Sequence, residues 1–358
     1  MLNRALFCTL MACTGDVKES SHDTETTTET TTDETTNTGE TTPADDTTTT
    51  DETTNADDTA TGETEPVLLL IGLMVHLEGH RVDSESDHDD YREAIVAYAD
   101  LFDAHGAVPT WEVREPIDSC LTYKDPYFRP LEARGHGIGV HADLGGPDMP
   151  EGYDVPLFTD DLAGMKSRLE SQEVSVRHVS GVCSELDWTA AVAGAGYSFV
   201  TGVVDYCLKS LAPVPEEVAD CVDPADCHDP YPAELADRLH PWRMDDDNWI
   251  DSAADGSVVI LPESTTSLPK LASGGDDLSF TDEDIDEYLV QLEAALALVD
   301  PEQVNVFFQL WSFGLALDPE VMERWLIAIE PYVASGQVRW VSLPEMYDAF
   351  IDWEAAAR

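Results

Sequence analysis

The chain has 358 residues, and 73 acidic against 18 basic side chains give it a formal charge of −55. A surface this acidic excludes nucleic acid and the anionic face of a bilayer as partners, because like charges repel. Lysine is scarce and aspartate abundant, a balance that keeps a protein soluble at high salt, where screening removes the self-repulsion, so a saline habitat is expected.

Arg4 precedes a short apolar run from Ala5 to Met11 that ends Leu10-Met11-Ala12-Cys13. Residues 1–12 read as a signal peptide and not as a membrane span. Small Ala12 before Cys13, with Leu10 three residues ahead of the cysteine, has the form of a bacterial lipobox. In such a motif the cysteine is diacylated and becomes the mature N-terminus. The expected product is an exported lipoprotein, periplasmic or at the cell surface, that touches the membrane through its lipid anchor only. The alternative is ordinary secretion with Cys13 as a stray thiol.

Residues 13–65 are almost entirely Thr, Glu, Asp, Gly and Asn, with Val17 the largest aliphatic side chain. Such a segment buries too little apolar surface to offset chain entropy and is expected to be a disordered, charge-extended tether. It holds 16 of the 73 acidic residues, so most of the negative charge belongs to the domain that follows.

From residue 66 the pattern changes to alternating strands and helices. Strands are predicted at Val67 to Val75, Val108 to Val113, Gly137 to Ala142, Val174 to Val179, Ser198 to Val204, Val258 to Leu261, Val304 to Leu310 and Gln337 to Val341. Helices are predicted at Tyr91 to His105, Asp160 to Ser171, Trp188 to Gly194, Thr281 to Leu298, Pro319 to Val333 and Leu343 to Trp353. This alternation is the signature of an α/β fold with a mostly parallel sheet. Seven or eight such units across residues 66–358 favour a (β/α) barrel, closed or incompletely closed, over an open doubly wound sheet. Lys209 to Asp255 breaks the rhythm with Pro, Asp and Cys and is expected to cross the C-terminal rim as a Cys/Pro-rich loop. Among Cys120, Cys183, Cys207, Cys221 and Cys227 at least one thiol stays free. A disulfide is expected within the 207/221/227 cluster, with Cys221 to Cys227 favoured by proximity.

Candidate chemistry gathers at two strand ends. His76 and Glu78 close the first strand, and His141 and Asp143 close the third, each pair two residues apart and so on one strand face. Two imidazole/carboxylate pairs at the C-terminal mouth of a barrel are what a mononuclear hydrolytic metal site needs, with zinc the expected ion. Glu112, a carboxylate inside the apolar strand Thr110-Trp111-Glu112-Val113, needs a buried partner and is a candidate base, as is Glu185. Asp187, His228, Asp229 and Glu263 are further candidates that read more simply as rim charges. His80, Asp87 and His88 read as part of a polar loop and a helix N-terminus. Trp111, Trp242, Trp311 and Arg243 are candidates for stacking on or binding a sugar, and core packing is the ordinary role of a tryptophan.

Gly135-His136-Gly137-Ile138-Gly139-Val140-His141 resembles the second motif of the polysaccharide deacetylases (the NodB homology domain), G-H-E-I-G-N-H followed by three residues and another histidine. In that family the first strand ends on two aspartates and a glycine, one acting as base and one binding metal. Val75-His76-Leu77-Glu78-Gly79 falls at that place, with Glu78 at the metal position and Leu77 where the base should be. Gly145 occupies the place of the second histidine, so the resemblance carries over only Glu78 and His141, and His76 and Asp143 are physical replacements. Leu186 to Tyr197 resembles the helix and turn before the family's fifth strand, and Arg339 to Met346 its closing strand and helix. The R-x-P-Y motif is absent near Ser180 to Ser184, and Gln309 to Phe313 lacks the family's acid histidine. The resemblance implies a metal-dependent hydrolase of a glycan or a related amide or ester. Two alternatives remain: a degenerate barrel that binds carbohydrate, and a metal-free glycosidase pairing Glu78 with Glu112 or Glu185.

Overall fold

A computed structural model describes residues 69–78, 82–146, 149–222, 227, 232, 235–263, 267–268, 271, 279–313 and 318–357. The expected signal peptide, Cys13 and the tether lie outside the described residues, as do Val67, Leu68, His80, His228 and Asp229.

The strands in chain order are β1 (Leu69–Leu77), β2 (Thr110–Val113), β3 (Gly137–His141), β4 (His178–Ser180), β5 (Phe199–Val200), β6 (Trp242–Arg243), β7 (Val259–Ile260), β8 (Val306–Ser312) and β9 (Val338–Trp340). The helices are α1 (Glu85–Ala104), α2 (Pro116–Tyr123), α3 (Phe128–Glu132), α4 (Val155–Glu170), α5 (Trp188–Gly194), α6 (Asp282–Leu298), α7 (Pro319–Ala334) and α8 (Leu343–Ala357). All eight expected strands and six expected helices form. Strand β6 and the short helices α2 and α3 were not expected, because two to eight residues are too few to establish a period.

The sheet runs β6-β7-β5-β4-β3-β2-β1-β8, with β9 also on β1. Every pairing is parallel except that of β6 with β7. Two single links bring the ends round towards each other: Val306 N–H donates to the Leu239 carbonyl at 2.8 Å, and Ser267 bridges Leu310. The result is a curled, incompletely closed barrel. Every residue of β1 is buried, as a parallel strand covered on both faces requires.

Alternation then sorts the side chains. Leu69, Ile71, Leu73 and Val75 join the large cluster under the helices, whereas Leu70 and Met74 pack inward with Phe199, Val259, Leu261 and Phe308. Leu343, Met346 and Phe350 of α8 join this inner cluster, so α8 plugs the end of the barrel remote from the strand C-termini. Gly72 makes room for that plug, since a β-carbon there would lie 2.7 Å from Met346 Cε.

Caps fix the helix starts that face the mouth. Ser84 accepts from Asp87 N–H at the head of α1, which places the Asp83 to Asp90 stretch as loop and N-terminus as expected. Asp187 does the same for α5 through Ala190 N–H, so this candidate acid is a cap.

The segment from Lys209 to Asp255 departs from expectation. It leaves the rim, where a disulfide joins Cys183 to Cys207, but then descends the barrel wall. His240 accompanies Val304 at the foot of β8, and β6 runs antiparallel along β7. Cys221 pairs with Cys227 as favoured, and among the described cysteines buried Cys120 is the free thiol. No helix among the described residues is long and apolar enough to cross a membrane.

Candidate active site

Strand register assembles the site. His76 on β1 stands beside Glu112 on β2 and Ser312 on β8, Glu112 stands beside Gly139 on β3, and His141 stands beside Ser180 on β4. All share the inward parity of Met74, one layer nearer the strand C-termini.

One nitrogen of each histidine meets the Glu78 carboxylate: His141 Nε2 lies 2.8 Å from Oε2 and His76 Nδ1 lies 3.8 Å from Oε1. The two imidazoles stack with centroids 3.9 Å apart. Ser312 Oγ donates to Glu78 Oε1 at 3.2 Å, and the Glu78 side chain, 27% exposed, faces the mouth. His76, Glu78 and His141 each offer a ligand atom within 4.8 Å of the others. Two imidazole nitrogens and a carboxylate are a donor set that suits zinc or a similar divalent ion and leave room for further ligands.

The other nitrogens point back to Glu112. His76 Nε2 lies 3.0 Å from Glu112 Oε2, and His141 Nδ1 lies 2.8 Å from Ser180 Oγ, which itself donates to Glu112 Oε2. Thr201 Oγ1 donates to Glu112 Oε1 at 2.6 Å, and His178 Nε2 lies 3.1 Å from the same oxygen. Glu112 therefore orients both histidines, one directly and one through Ser180, as carboxylates behind metal-binding imidazoles do. The His178 ring occupies space that only a glycine leaves, since a β-carbon on Gly139 would come within 2.1 Å of it.

Burial alone would lower the pKa of His76, but Glu112 and Glu78 outweigh it and hold the ring at about 10. Burial would raise the Glu112 carboxyl, yet His178 and His76 bring it well below the usual carboxylate range. Glu78 is likewise depressed, with His141 and His76 overcoming burial. Without a metal the cluster is thus an imidazolium held between carboxylates.

Three of the four expected ligands come together, and Asp143 does not. The chain leaves the strand after His141, and Asp143 adopts a left-handed conformation (φ 47°) that ends the alternation. Its carboxylate, 57% exposed, pairs with Arg114. Glu112 is fully buried and engaged on both oxygens, so it orients groups and has no open path to a substrate water. Glu185 is exposed and pairs with Lys209 at 3.1 Å.

The expected sugar contacts fall away. Trp111, Trp242 and Trp311 are buried among core side chains, Trp111 donating to His136 Nδ1 and Trp242 to the Trp249 carbonyl. Arg243 forms a two-oxygen pair with Glu354 beside α8. A cavity of about 440 Å³ lies there, lined by Arg243, Asp255 and Glu354, and contains none of the clustered groups. Ser180, Thr201 and His178 were missed in the sequence, although inward alternation along β4 and past β5 is the signal that points to them.

No protein-family model matches the chain, and no curated protein matches it. Among solved structures, the Puue allantoinase superposes with a TM-score of 0.54 at 10% identity, covering 80% of this chain and 91% of that one. A Mycobacterium smegmatis structure assigned as a polysaccharide deacetylase gives a TM-score of 0.46 at 14% identity, covering 80% and 92%. A family 4 acetyl xylan esterase from Clostridium thermocellum, in complex with cobalt, gives 0.36 at 10% identity, covering 78% and 90%. At such identity the likeness to the allantoinase is one of fold.

Proposed function

We propose that the domain is a metal-dependent hydrolase that removes acyl groups from a glycan or a related amide or ester, carried on a tether anchored through Cys13. The observation that carries this reading is the convergence of His76, Glu78 and His141 at the barrel mouth, with Glu112 and Ser180 fixing both imidazoles from behind. Zinc or a similar ion held by these three residues supplies Lewis acidity for the acyl carbonyl and lowers the pKa of water.

The chain's own groups do the rest. Glu112 keeps the His76 and His141 rings oriented before any ligand arrives, which removes reorganisation from the chemical step. Ser312 holds the Glu78 carboxylate towards the mouth. The Arg114–Asp143 pair borders the same opening, since Arg114 follows β2 and Asp143 follows β3.

The carbohydrate-binding alternative rests on the missing base, second histidine and acid of the family pattern, and the tryptophans Trp111, Trp242 and Trp311 considered for sugar stacking are buried. In the glycosidase alternative, which pairs Glu78 with Glu112 or Glu185, Glu112 is not accessible, and the accessible Glu185 is paired with Lys209.

The test is elemental analysis of the domain, residues 65–358, prepared without an affinity-tag histidine run, alongside His141→Ala. About one equivalent of metal in the parent, lost together with release of acetate from acetylated glycans in the variant, is expected. Unchanged metal content in the variant would remove the basis for the reading.

A further inference from the structure

Glu263 stands two residues beyond Leu261, which fills the barrel interior at the end of β7. Alternation continued past the strand end keeps it on the inner side. Gly202 marks its place: a β-carbon there would lie 3.8 Å from Glu263 Oε2 and 3.2 Å from Ser180 Cβ. Gly202 therefore neighbours both Glu263 and Ser180, the serine that links His141 to Glu112.

The Glu263 side chain is partly exposed, but its Oε2 is buried and has no side-chain hydrogen-bond partner among the described residues. The groups that act on it are His76, Glu112 and a backbone contact with Gly202, and no arginine or lysine pairs with it among the described residues. A carboxylate oxygen held away from water without an ion-pair partner sheds its charge by taking up a proton. Burial drives its pKa up, His76 draws it down, and the Glu112 charge raises it again, leaving it at about 8. The four other carboxyls considered for the site each have a basic neighbour: Glu78 and Glu112 a histidine, Asp143 Arg114 and Glu185 Lys209.

We propose that Glu263 is the proton donor to the leaving group, an inference that rests on the hydrolase reading above. In cleavage of an N-acetyl amide the oxygen of water bonds to the acyl carbon and the carbon–nitrogen bond breaks. Its electron pair stays on nitrogen, which takes the proton of Glu263. The proton lost by the water passes to solvent, and Glu263 is reprotonated from solvent. The products are an amine and acetate, and no oxidant or reductant enters. An ester with a good leaving group needs no such donor, because that group departs as a stable anion.

The experiment compares the zinc-loaded parent domain with Glu263→Gln on an N-acetylated chitooligosaccharide and on 4-nitrophenyl acetate. General acids contribute on the order of 10²- to 10⁴-fold, so amide turnover should fall by at least about 100-fold while ester turnover stays within about threefold. Infrared difference spectra of the metal-free parent supply a readout independent of turnover. A neutral, weakly bonded carboxyl band should be present at pH 7, be lost as pH rises through about 8, and be missing in Glu263→Gln. Absence of that band from the parent overturns the proposal without any variant. Equal loss on both substrates, or no loss on the amide, overturns it while leaving the hydrolase reading intact. A parent inert to both substrates overturns the hydrolase reading, and the donor role with it.

Discussion

Replacing Glu112 by Gln preserves volume and removes one buried negative charge. In the metal-free protein that charge faces the His76 ring at 3.0 Å, accepts from Ser180 and Thr201, and lies 3.1 Å from His178. Breaking a buried pair from one side costs about 3–5 kcal/mol, and Gln retains an acceptor oxygen, so about 3 kcal/mol is expected. At about 2–4 °C per kcal/mol for domains approaching this size, the melting temperature should fall by about 6–12 °C. The pH dependence is more diagnostic. His76 has a folded pKa raised to about 10, so its contribution is complete below the unfolded value near 6.5 and is lost as pH rises through about 10. Glu112 is depressed, so its contribution is present above the unfolded value near 4.5 and is lost only as pH falls well below that. Parent and variant should therefore differ most between about pH 5 and 6.5 and converge towards pH 10. Scanning calorimetry of metal-stripped protein across this range measures the gap. Calorimetric zinc titration should also show affinity about 10- to 100-fold weaker in the variant. A gap that is small and flat with pH, with zinc affinity unchanged, would refute the claim that Glu112 orients the cluster.

Asp143→Asn removes an exposed ion pair, so stability should change by less than about 1 kcal/mol and zinc affinity should not move; a tenfold loss of affinity would restore Asp143 to the ligand set. The Cys183–Cys207 disulfide spans 24 residues, and the double serine variant should lose about 3 kcal/mol by loop entropy, read by urea unfolding; an unchanged midpoint would contradict that. Cys120 is buried, and burial pushes its thiol to about 12, so Ellman's reagent should titrate it only on unfolding; prompt reaction in the folded protein would show the packing around it to be open. Because most of the chain's charge of −55 belongs to the domain, its thermal stability should rise between roughly 0.1 and 1 M salt, and a melting temperature flat in salt would argue against self-repulsion as a cost.

The sequence disclosed the strand and helix order because each long element repeats its apolar pattern over several turns or pleats. It also disclosed His76, Glu78 and His141, since strand-end position and parity are properties of the local chain. What it concealed depends on contact between distant segments. Ser180 and Thr201 look like ordinary polar strand residues until β4 and β5 are placed beside β3 and Glu112. Asp143 fails for the opposite reason: the two-residue rule holds only while the strand lasts, and a single positive φ ends it. The tryptophans near strand ends gave no sign of which layer they face, and burial decided for the core.

Strand β1 hydrogen-bonds to β2, β8 and β9 and positions two of the three clustered candidate ligands at its end. A strand held on so many sides opens to exchange only when the whole barrel does, so its amides should be among the last to take up deuterium. An ion bound there, as proposed, would not be freed by fraying of a loop. Its binding energy would pass instead into the free energy of global unfolding, and stripping it would weaken the fold everywhere at once.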